Sequence, residues 1–184
     1  MRGRALSPGL ALILALALVC AANAQTPYIA VYFDPGFTAT TKVCPGPGLD
    51  VWYVAAVNFN SLITGAEFAI SYPAAVTWLA DTNTPPVKIG STPSGISMGY
   101  PIPVNGFSPV ELCRVQVQWN CEECDSSSID APITVIAHPH TTFLGWTDES
   151  YTEQPASGWT SFICPFASPA EPTTWGRVKA LFGE

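Results

Sequence analysis

The sequence predicts an all-β protein, an antiparallel β-sandwich followed by a short C-terminal helix. Three observations predict the sandwich. Runs of β-branched and aromatic residues recur with turn residues between them. Eighteen prolines and fourteen glycines among 184 residues favour turns over helices. In "VELCRVQVQWNC" (110–121) apolar and polar residues alternate, so roughly eight to ten short strands without intervening helices are expected.

The first strands are bounded by turn residues. "YIAVYFD" (28–34) ends in the turn signal "DPG". "VWYVAAVNFN" (51–60) is apolar on both faces, which predicts a central strand. "ITGAEFAISY" then carries Phe68 and Ile70 on one parity, and it ends at Pro73 because proline cannot donate to a ladder.

Later strands follow a polar stretch. Residues 81–109 are rich in Thr, Pro, Ser, Gly and Asn, and their short apolar pieces predict edge strands or ordered loops. The strand at 110–121 should bury the parity that includes Val115, Val117 and Trp119. "PITVIAH", "FLGW" and "GWTSFIC" supply the last strands.

The first 24 residues are predicted to be a secretory signal peptide. Arg2 and Arg4 precede an apolar stretch and the small-residue cleavage site Ala22-Asn23-Ala24. That stretch is too short for a membrane span, and no later segment approaches the roughly 20 apolar residues that a span needs. We expect a mature protein that starts near Gln25, has no transmembrane span, passes through the periplasm and is secreted or held at the cell surface.

Four segments follow from these patterns: a signal peptide (1–24), a β-sandwich domain (25–164), a proline-rich linker (165–172) and an amphipathic C-terminal tail (173–184). Seven basic residues, less the two arginines of the signal peptide, face fourteen acidic ones, so the mature chain carries a net charge of about −9. Because nucleic acid requires a basic face, this charge argues against a nucleic-acid partner.

Five cysteines remain after export, which predicts two disulfides and one spare thiol in an oxidising compartment. The candidates are Cys44, Cys113, Cys121, Cys124 and Cys164. The pairing stays open, because Cys121 and Cys124 either close on each other or reach Cys44 or Cys164. Zinc is the alternative, but the C-x-x-C pair has no second half.

The strands resemble those of cohesin-like and related carbohydrate-binding-type β-sandwiches of secreted bacterial proteins. The resemblance is carried by "DVWYVAAVNFNSLITGAEFAISYPAAVTWL", "GISMGY" and "PVELCRVQVQ", and it covers residues 28–138. It consists of the order and spacing of strands and turns and includes no catalytic signature. It implies a jelly-roll or immunoglobulin-like sandwich with a non-enzymatic binding role.

The tail "TTWGRVKALF" resembles a short closing motif of exported proteins from little-studied bacterial lineages. Its apolar residues stand at helical spacing with basic residues between them: Trp175, Val178, Leu181 and Phe182. A helix this short is marginal in water. We expect it to dock to a partner groove, a membrane surface or a sorting receptor, and the alternatives are a helix packed on its own domain and a disordered end.

The sequence signals for a metal site or a catalytic site are weak. His138-Pro139-His140, near Asp148 and Glu149, lacks the spacing for a third ligand, so solvent-facing imidazoles are expected. The loop "CEECDSSSID" lacks the order of a calcium loop and is interpreted as a solvated acidic loop. The chain has no G-x-S-x-G elbow, so we expect no enzyme, no metal and no other cofactor.

Aromatic residues are the better candidates for ligand binding, because planar rings bury a large area at low entropy cost. Most are expected in the core. Trp146 and Tyr151, flanked by polar residues late in the chain, are the predicted surface positions. The predicted function is a secreted or cell-surface module that binds a protein or a glycan. The alternative is an exported structural subunit that self-associates through its tail.

Overall fold

A computed structural model describes residues 26–43, 47–107, 109–119 and 131–163. These residues form thirteen strands and no helix, which confirms the all-β class. The strands are β1 Tyr28–Tyr32, β2 Thr41–Lys42, β3 Gly48–Val57, β4 Leu62–Ser71, β5 Val76–Thr82, β6 Val87–Ser91, β7 Gly95–Asn105, β8 Val110–Trp119, β9 Ala131–Ile136, β10 Gly145–Asp148, β11 Glu153–Pro155, β12 Ser157–Gly158 and β13 Thr160–Ile163. The signal peptide, linker and tail helix lie outside the described residues and stay predictions.

The strands form two layered sheets. The first sheet has the order β12-β1-β3-β8-β5. The second has the order β11-β10-β4-β9-β13-β2, with the β6–β7 hairpin attached to β4 through β7. Most neighbours are antiparallel, as predicted, but β1 with β12 and β2 with β13 are parallel. Because β12 belongs to the first sheet and β13 to the second, the chain crosses between the layers at this point and connects them.

The predicted strands differ from the observed ones mainly at their ends. Strand β3 lies between β1 and β8, so its predicted central position is confirmed. It begins earlier than predicted and stops at Val57, because Asn58 and Asn60 adopt left-handed backbone angles with φ of 62° and 55°. Residues from the predicted edge region form the end of β5 and the β6–β7 hairpin.

The core between the sheets is rich in aromatic rings. Trp52 of β3 and Trp119 of β8 meet edge to face, with ring centroids 5.5 Å apart, and both are at most 1% exposed. Each indole Nε1 donates a hydrogen bond to Asp50 Oδ2, at 2.9 and 3.2 Å. Lys42 Nζ approaches the same oxygen at 2.5 Å. Buried polar groups need partners, and Asp50 supplies them at this end of the core.

A polar network joins the two layers beside these rings, where Tyr72 stacks on Trp52 with ring centroids 6.2 Å apart. Thr92, in the β6–β7 turn, is fully buried. Its N–H and its hydroxyl donate to the Asp81 carboxylate of β5, at 2.9 and 2.7 Å. Tyr72 OH lies 2.7 Å from Thr92 Oγ1. Bonds to a charged acceptor are stronger than neutral ones, so this network fixes the hairpin against the first sheet.

Candidate protein-binding face

The outer face of the first sheet carries apolar side chains that solvent reaches. Strand β3 buries Trp52 and Val54 in the core, so strand alternation turns Leu49, Val51 and Tyr53 outward. Leu49 is 77% exposed and Val51 is 37% exposed. Removing apolar area from water contributes about 25 cal/mol per Å², and the entropy cost of association offsets part of this gain. Exposed aliphatic side chains thus give this face a hydrophobic driving force for binding.

Neighbouring strands extend the same surface. Gln118 and Gln116 of β8 pair with Leu49 and Val51 in register, and both glutamines are exposed. A β-bulge in β5 shifts the register where Leu79 lies, and Leu79 is 42% exposed. Bulges re-aim side chains that regular alternation would place elsewhere. Three aliphatic side chains and two amides thus share one face.

The loop after β1 forms a rim beside this face. The Asp34 carboxylate accepts three backbone N–H groups, at 3.1, 3.0 and 2.6 Å, from Gly36, Thr38 and Ala39. The Ala39 N–H lowers the pKa of Asp34 most, and the remaining hydrogen bonds lower it further against the opposing effect of desolvation. A loop braced in this way loses little entropy when a partner binds.

Between this rim and the sheet lies a groove of about 510 Å³. We call it the β3–β8 groove, and its lining residues are Phe33, Pro35, Leu49, Asp50, Val51, Tyr53, Leu79, Gln116 and Val117. Its volume is within the range of ligand pockets, about 300–1,000 Å³. Its mixture of aliphatic, aromatic and amide groups matches the centre of a protein interface, where charged residues are scarce.

Asp50 is the one carboxylate among the groove's described lining residues. Burial by itself raises the pKa of Asp50, but hydrogen bonds from Lys42 and Trp52 and the charge of Lys42 outweigh burial, so the pKa is lowered. An ionised carboxylate has no proton to give as a general acid. Glycoside hydrolysis also needs a second carboxylate across the cleft. Asp50 therefore serves as the acceptor for Lys42 and the two indoles rather than as a general acid.

An arginine–tyrosine pair marks one end of the groove. The Arg114 guanidinium lies 5.2 Å from the centroid of the Tyr53 ring. Its Nε donates to Glu111 Oε1 at 2.7 Å, and the Arg114 side chain remains 43% exposed. Tyrosine and arginine are enriched among the residues that dominate binding energies, so this pair is a candidate anchor for a partner.

The two predicted ligand-binding aromatics lie in different environments. Trp146 is 5% exposed, stacks on Phe59 with ring centroids 4.1 Å apart, and donates from Nε1 to Ser61 Oγ at 3.0 Å. The expectation that Trp146 lies on the surface is wrong, because β10 pairs with β4 and its tryptophan ring packs in the core. Tyr151 is 81% exposed, and its role in ligand binding stays a prediction.

The two histidines also differ from each other. The His138 side chain is 11% exposed, and its Nδ1 accepts the N–H groups of His140 and Thr141 at 3.2 and 3.4 Å. A Cβ on Gly95 would lie 2.5 Å from His138 Nε2, so the imidazole packs directly on that backbone. A solvent-facing imidazole is therefore wrong for His138, which braces its loop, while His140 is exposed.

Asp148 and Glu149, which follow the histidines in the sequence, accept backbone hydrogen bonds. Asp148 Oδ1 accepts the N–H groups of Ser150 and Thr152, at 2.9 and 3.0 Å. Glu149 Oε2 accepts the N–H of Leu62 at 3.1 Å. Among the described residues, no three His, Cys, Asp or Glu side chains are grouped to hold a metal ion.

In the same part of the chain, no helix is long and apolar enough to cross a membrane.

One predicted cysteine is described. Cys113 is a fully buried free thiol on the inner face of β8, and burial raises its pKa strongly. The remaining disulfide candidates and the tail residues lie outside the described residues, so their roles stay predictions: Cys44, Cys121, Cys124, Cys164, Trp175, Val178, Leu181 and Phe182.

Solved structures that resemble this fold include cohesin modules. The cohesin module from a family 33 glycoside hydrolase of Clostridium perfringens aligns with a TM-score of 0.52 at 9% identity, over 76% of this chain and 96% of that module. The chain has a cohesin-like fold. The type III cohesin module from the cell-surface anchoring scaffoldin ScaE of Ruminococcus flavefaciens gives 0.51 at 9% identity, over 78% and 89% of the two chains.

A chain of the CaDoc0917–CaCohA2 complex also aligns, with a TM-score of 0.50 at 16% identity over 75% of this chain and 98% of that one. No family model matches the chain, and no curated protein matches it. At such identities the likeness establishes architecture, and function depends on the site. The cohesin-like sandwich predicted from the strand rhythm is confirmed as a fold.

Sequence reasoning missed the β3–β8 groove. Leu49, Val51 and Leu79 look like ordinary core residues because the strands around them are apolar. One signal was present. Gln116 and Gln118 alternate with buried valines on β8, so they face solvent. Residues of a neighbouring strand that pair with them face solvent as well. That pairing is a matter of register, which the sequence did not provide.

Proposed function

We propose that the mature chain is a non-catalytic recognition module that binds a protein partner through the β3–β8 groove, outside the cell or at its surface. The observation that carries the proposal is the exposed aliphatic set Leu49, Val51 and Leu79, bordered by Gln116 and Gln118. Contiguous exposed apolar surface rimmed by polar residues marks interaction sites. The cohesin-like fold supports a binding role over a catalytic one.

The chemistry of the groove favours a polypeptide as its ligand. Aliphatic side chains accommodate apolar side chains of a partner, while the two glutamine amides match backbone N–H and C=O groups. The charge of Asp50 is paired with Lys42, so a partner segment with few charges fits best. Tyr53 with Arg114 offers an anchor at one end.

A second candidate function is assembly through the C-terminal tail. Ile163, the last described residue of β13, pairs in register with Lys42, and Lys42 bonds to Asp50 in the groove lining. The described part of the chain therefore ends at Ile163, beside the groove. The basic residues of the predicted tail, Arg177 and Lys179, complement the net negative charge of the mature chain. The tail is therefore a candidate ligand for the groove of its own chain or of a second copy.

Groove variants test partner binding. The full mature chain and its Leu49→Asp/Leu79→Asp variant are used to capture proteins secreted by the native cells, and the best-enriched candidate is purified and titrated. The matched control is Ile89→Asp, which changes an aliphatic residue that is 72% exposed on β6. We expect the groove variant to weaken binding about 100-fold and the control to change it less than about twofold. Equal binding by all three proteins contradicts the proposal.

Sedimentation velocity over a concentration series tests the assembly alternative. If the tail docks in the groove of a second copy, self-association of the full chain is lost both in Trp175→Ala and in the groove variant. A full chain that stays monomeric at every concentration, together with an intact partner titration, rejects assembly and leaves partner recognition standing.

A further inference from the structure

A second cavity lies at the opposite end of β3 from the β3–β8 groove. It has a volume of about 340 Å³, and its lining residues are Thr26, Tyr28, Asn58, Ser157 and Trp159. Leu49 and Asn58 stand nine residues apart along β3 and its end, which is roughly 30 Å at 3.3 Å per residue. The two cavities are therefore separate, and nothing in the second one depends on the function proposed for the first.

Trp159 is held rigidly although its ring is open to solvent. Its N–H donates to the Ile29 carbonyl at 3.0 Å, and its own carbonyl accepts the Val135 N–H at 3.1 Å. These bonds attach it to both sheets at the point where the chain crosses between them. A Cβ on Gly158 would lie 1.9 Å from the Val135 carbonyl oxygen, so only glycine permits the crossing. The Trp159 side chain is nevertheless 47% exposed.

Tyr28 provides a second ring beside Trp159. The ring centroids lie 5.4 Å apart, with an angle of 37° between the ring planes. Tyr28 pairs in register with Ser157 on one side and with Val57 on the other. Ser157 and Asn58, which follows Val57, therefore flank the Tyr28 backbone. The rings thus form an open, tilted platform on a backbone that is fixed by the sheet.

Unpaired polar groups surround the platform. The Thr26 and Ser157 hydroxyls, the Asn58 amide and the Trp159 indole N–H have no hydrogen-bond partner among the described residues. Asn58 has a left-handed backbone with φ of 62°, a conformation that fixes where its short side chain begins. The described lining includes no charged residue. Neutral donors and acceptors around exposed rings are the groups that an uncharged polyhydroxylated ligand requires.

We propose that this cavity binds a short segment of a neutral saccharide. The apolar C–H face of a sugar ring stacks on Trp159 or Tyr28, because planar aromatic rings bury area at low entropy cost. The sugar hydroxyls exchange hydrogen bonds with Thr26, Asn58 and Ser157. Without a cationic group in the described lining, uronates, sulfated glycans and phosphates gain no charge-assisted bond, so the uncharged class is favoured.

A titration followed by NMR tests this assignment on the full mature chain. Cellotetraose, xylotetraose, mannotetraose and maltotetraose are added separately up to about 10 mM, which saturates a site with a Kd near 1 mM. The indole N–H signal of Trp159 is assigned from its absence in Trp159→Phe. We expect at least one tetrasaccharide to shift this signal saturably.

Three variants test whether the saccharide binds at this cavity. Trp159→Ala should weaken binding about tenfold or more. Asn58→Gly is compatible with the left-handed backbone, removes the CH2–carboxamide side chain and should weaken binding about two- to tenfold, as for one lost hydrogen bond. Tyr151→Gly is the matched control, since it removes a ring that is 81% exposed with φ of 59° at another surface.

Several outcomes overturn the proposal. If no tetrasaccharide shifts the Trp159 signal, the exposed ring serves only to cover Tyr28. If Tyr151→Gly abolishes binding while Asn58→Gly preserves it, the glycan site lies at the β10–β11 turn instead. Tighter binding of an oligogalacturonate than of any neutral tetrasaccharide rejects the uncharged class. Asn58 is not itself a core residue, so Asn58→Gly provides a second test where Trp159→Ala lowers stability.

Discussion

The two faces of the first sheet differ in what lies against them, although one strand supplies both. On β3, Trp52 is fully buried, while its neighbour Val51 is 37% exposed. Both residues are apolar, and their φ/ψ region is the same extended one. The inner residue contributes to stability because the second sheet covers it. The outer residue is free to contribute to binding because no described element covers it.

The outer face is itself divided. Near the end of β3, Ala55 and Val57 form a small cluster with Ala30 and Tyr32 of β1, and Phe37 packs against it. The Phe37 and Tyr32 rings meet edge to face at 5.7 Å. Near the start of β3, the same loop ends as a rim and leaves the groove open. Loop coverage, not strand composition, therefore decides which half of this face can bind.

Trp52→Ala should have the largest effect on stability. Removing a fully buried tryptophan leaves a cavity and should lower the free energy of unfolding by about 3–5 kcal/mol. Val51→Ala, one residue away on the outer face, should cost less than about 1 kcal/mol. Urea denaturation of both variants measures the difference. Equal losses would show that the outer face is also packed in solution.

Asp50→Asn should cost about 2 kcal/mol at neutral pH, because the bonds from Lys42 and two indoles lose their charged acceptor. The folded pKa of Asp50 lies below its usual value of 3.8. Its stabilising contribution is therefore complete above that value and is lost as pH falls through the lowered folded pKa. The difference between wild type and variant should shrink below about pH 4.

Denaturation at a series of pH values checks this, with Glu153→Gln on exposed β11 as the matched control. The control should change the free energy of unfolding by less than about 0.5 kcal/mol. A gap between Asp50→Asn and wild type that is constant down to pH 2 would show that the carboxylate charge does not hold this end of the core.

Phe37→Ala should convert the covered half of the outer face into an open one. Because Phe37 is only partly buried, we expect a loss of about 1–2 kcal/mol rather than the larger cost of a core phenylalanine. Binding of a hydrophobic dye should rise as Tyr32 and Val57 become exposed. If dye binding is unchanged, Phe37 does not shield this cluster in solution.

Leu79→Ser should have the smallest effect on stability, within about 0.5 kcal/mol of wild type, while it weakens partner binding in the groove. Thermal denaturation and the partner titration are measured on the same preparation. A large loss of stability with unchanged affinity would assign Leu79 to folding instead of recognition.

The inner face should also protect a thiol. Alkylation without reduction should leave Cys113 unmodified in the native chain and modify it after unfolding, because a buried neutral thiol is unreactive. Intact-mass measurement of the secreted protein then reports the two predicted disulfides among the other four cysteines and whether the mass runs to Glu184. Rapid native labelling of Cys113, or its presence in a disulfide-linked peptide, contradicts this expectation.

Much of the fold was predictable because strand periodicity is local. The alternation of β8 placed Val115, Val117 and Trp119 in the core correctly. Periodicity gave no guide for Trp146, since β10 is only four residues long. Polar neighbours suggested a surface position, yet pairing with β4 placed the ring against Phe59.

The all-β class, the approximate positions of the main strands and the cohesin-like order of strands and turns followed from local sequence patterns, because these depend on side-chain period and turn chemistry within a few residues. The tertiary structure alone decided which apolar face is covered, where Leu79 points after its bulge, and how Tyr28 and Trp159 meet across β1 and the β12–β13 crossing. Those features depend on register and layer contacts between residues distant in the chain, and a one-residue change of register would exchange the two faces.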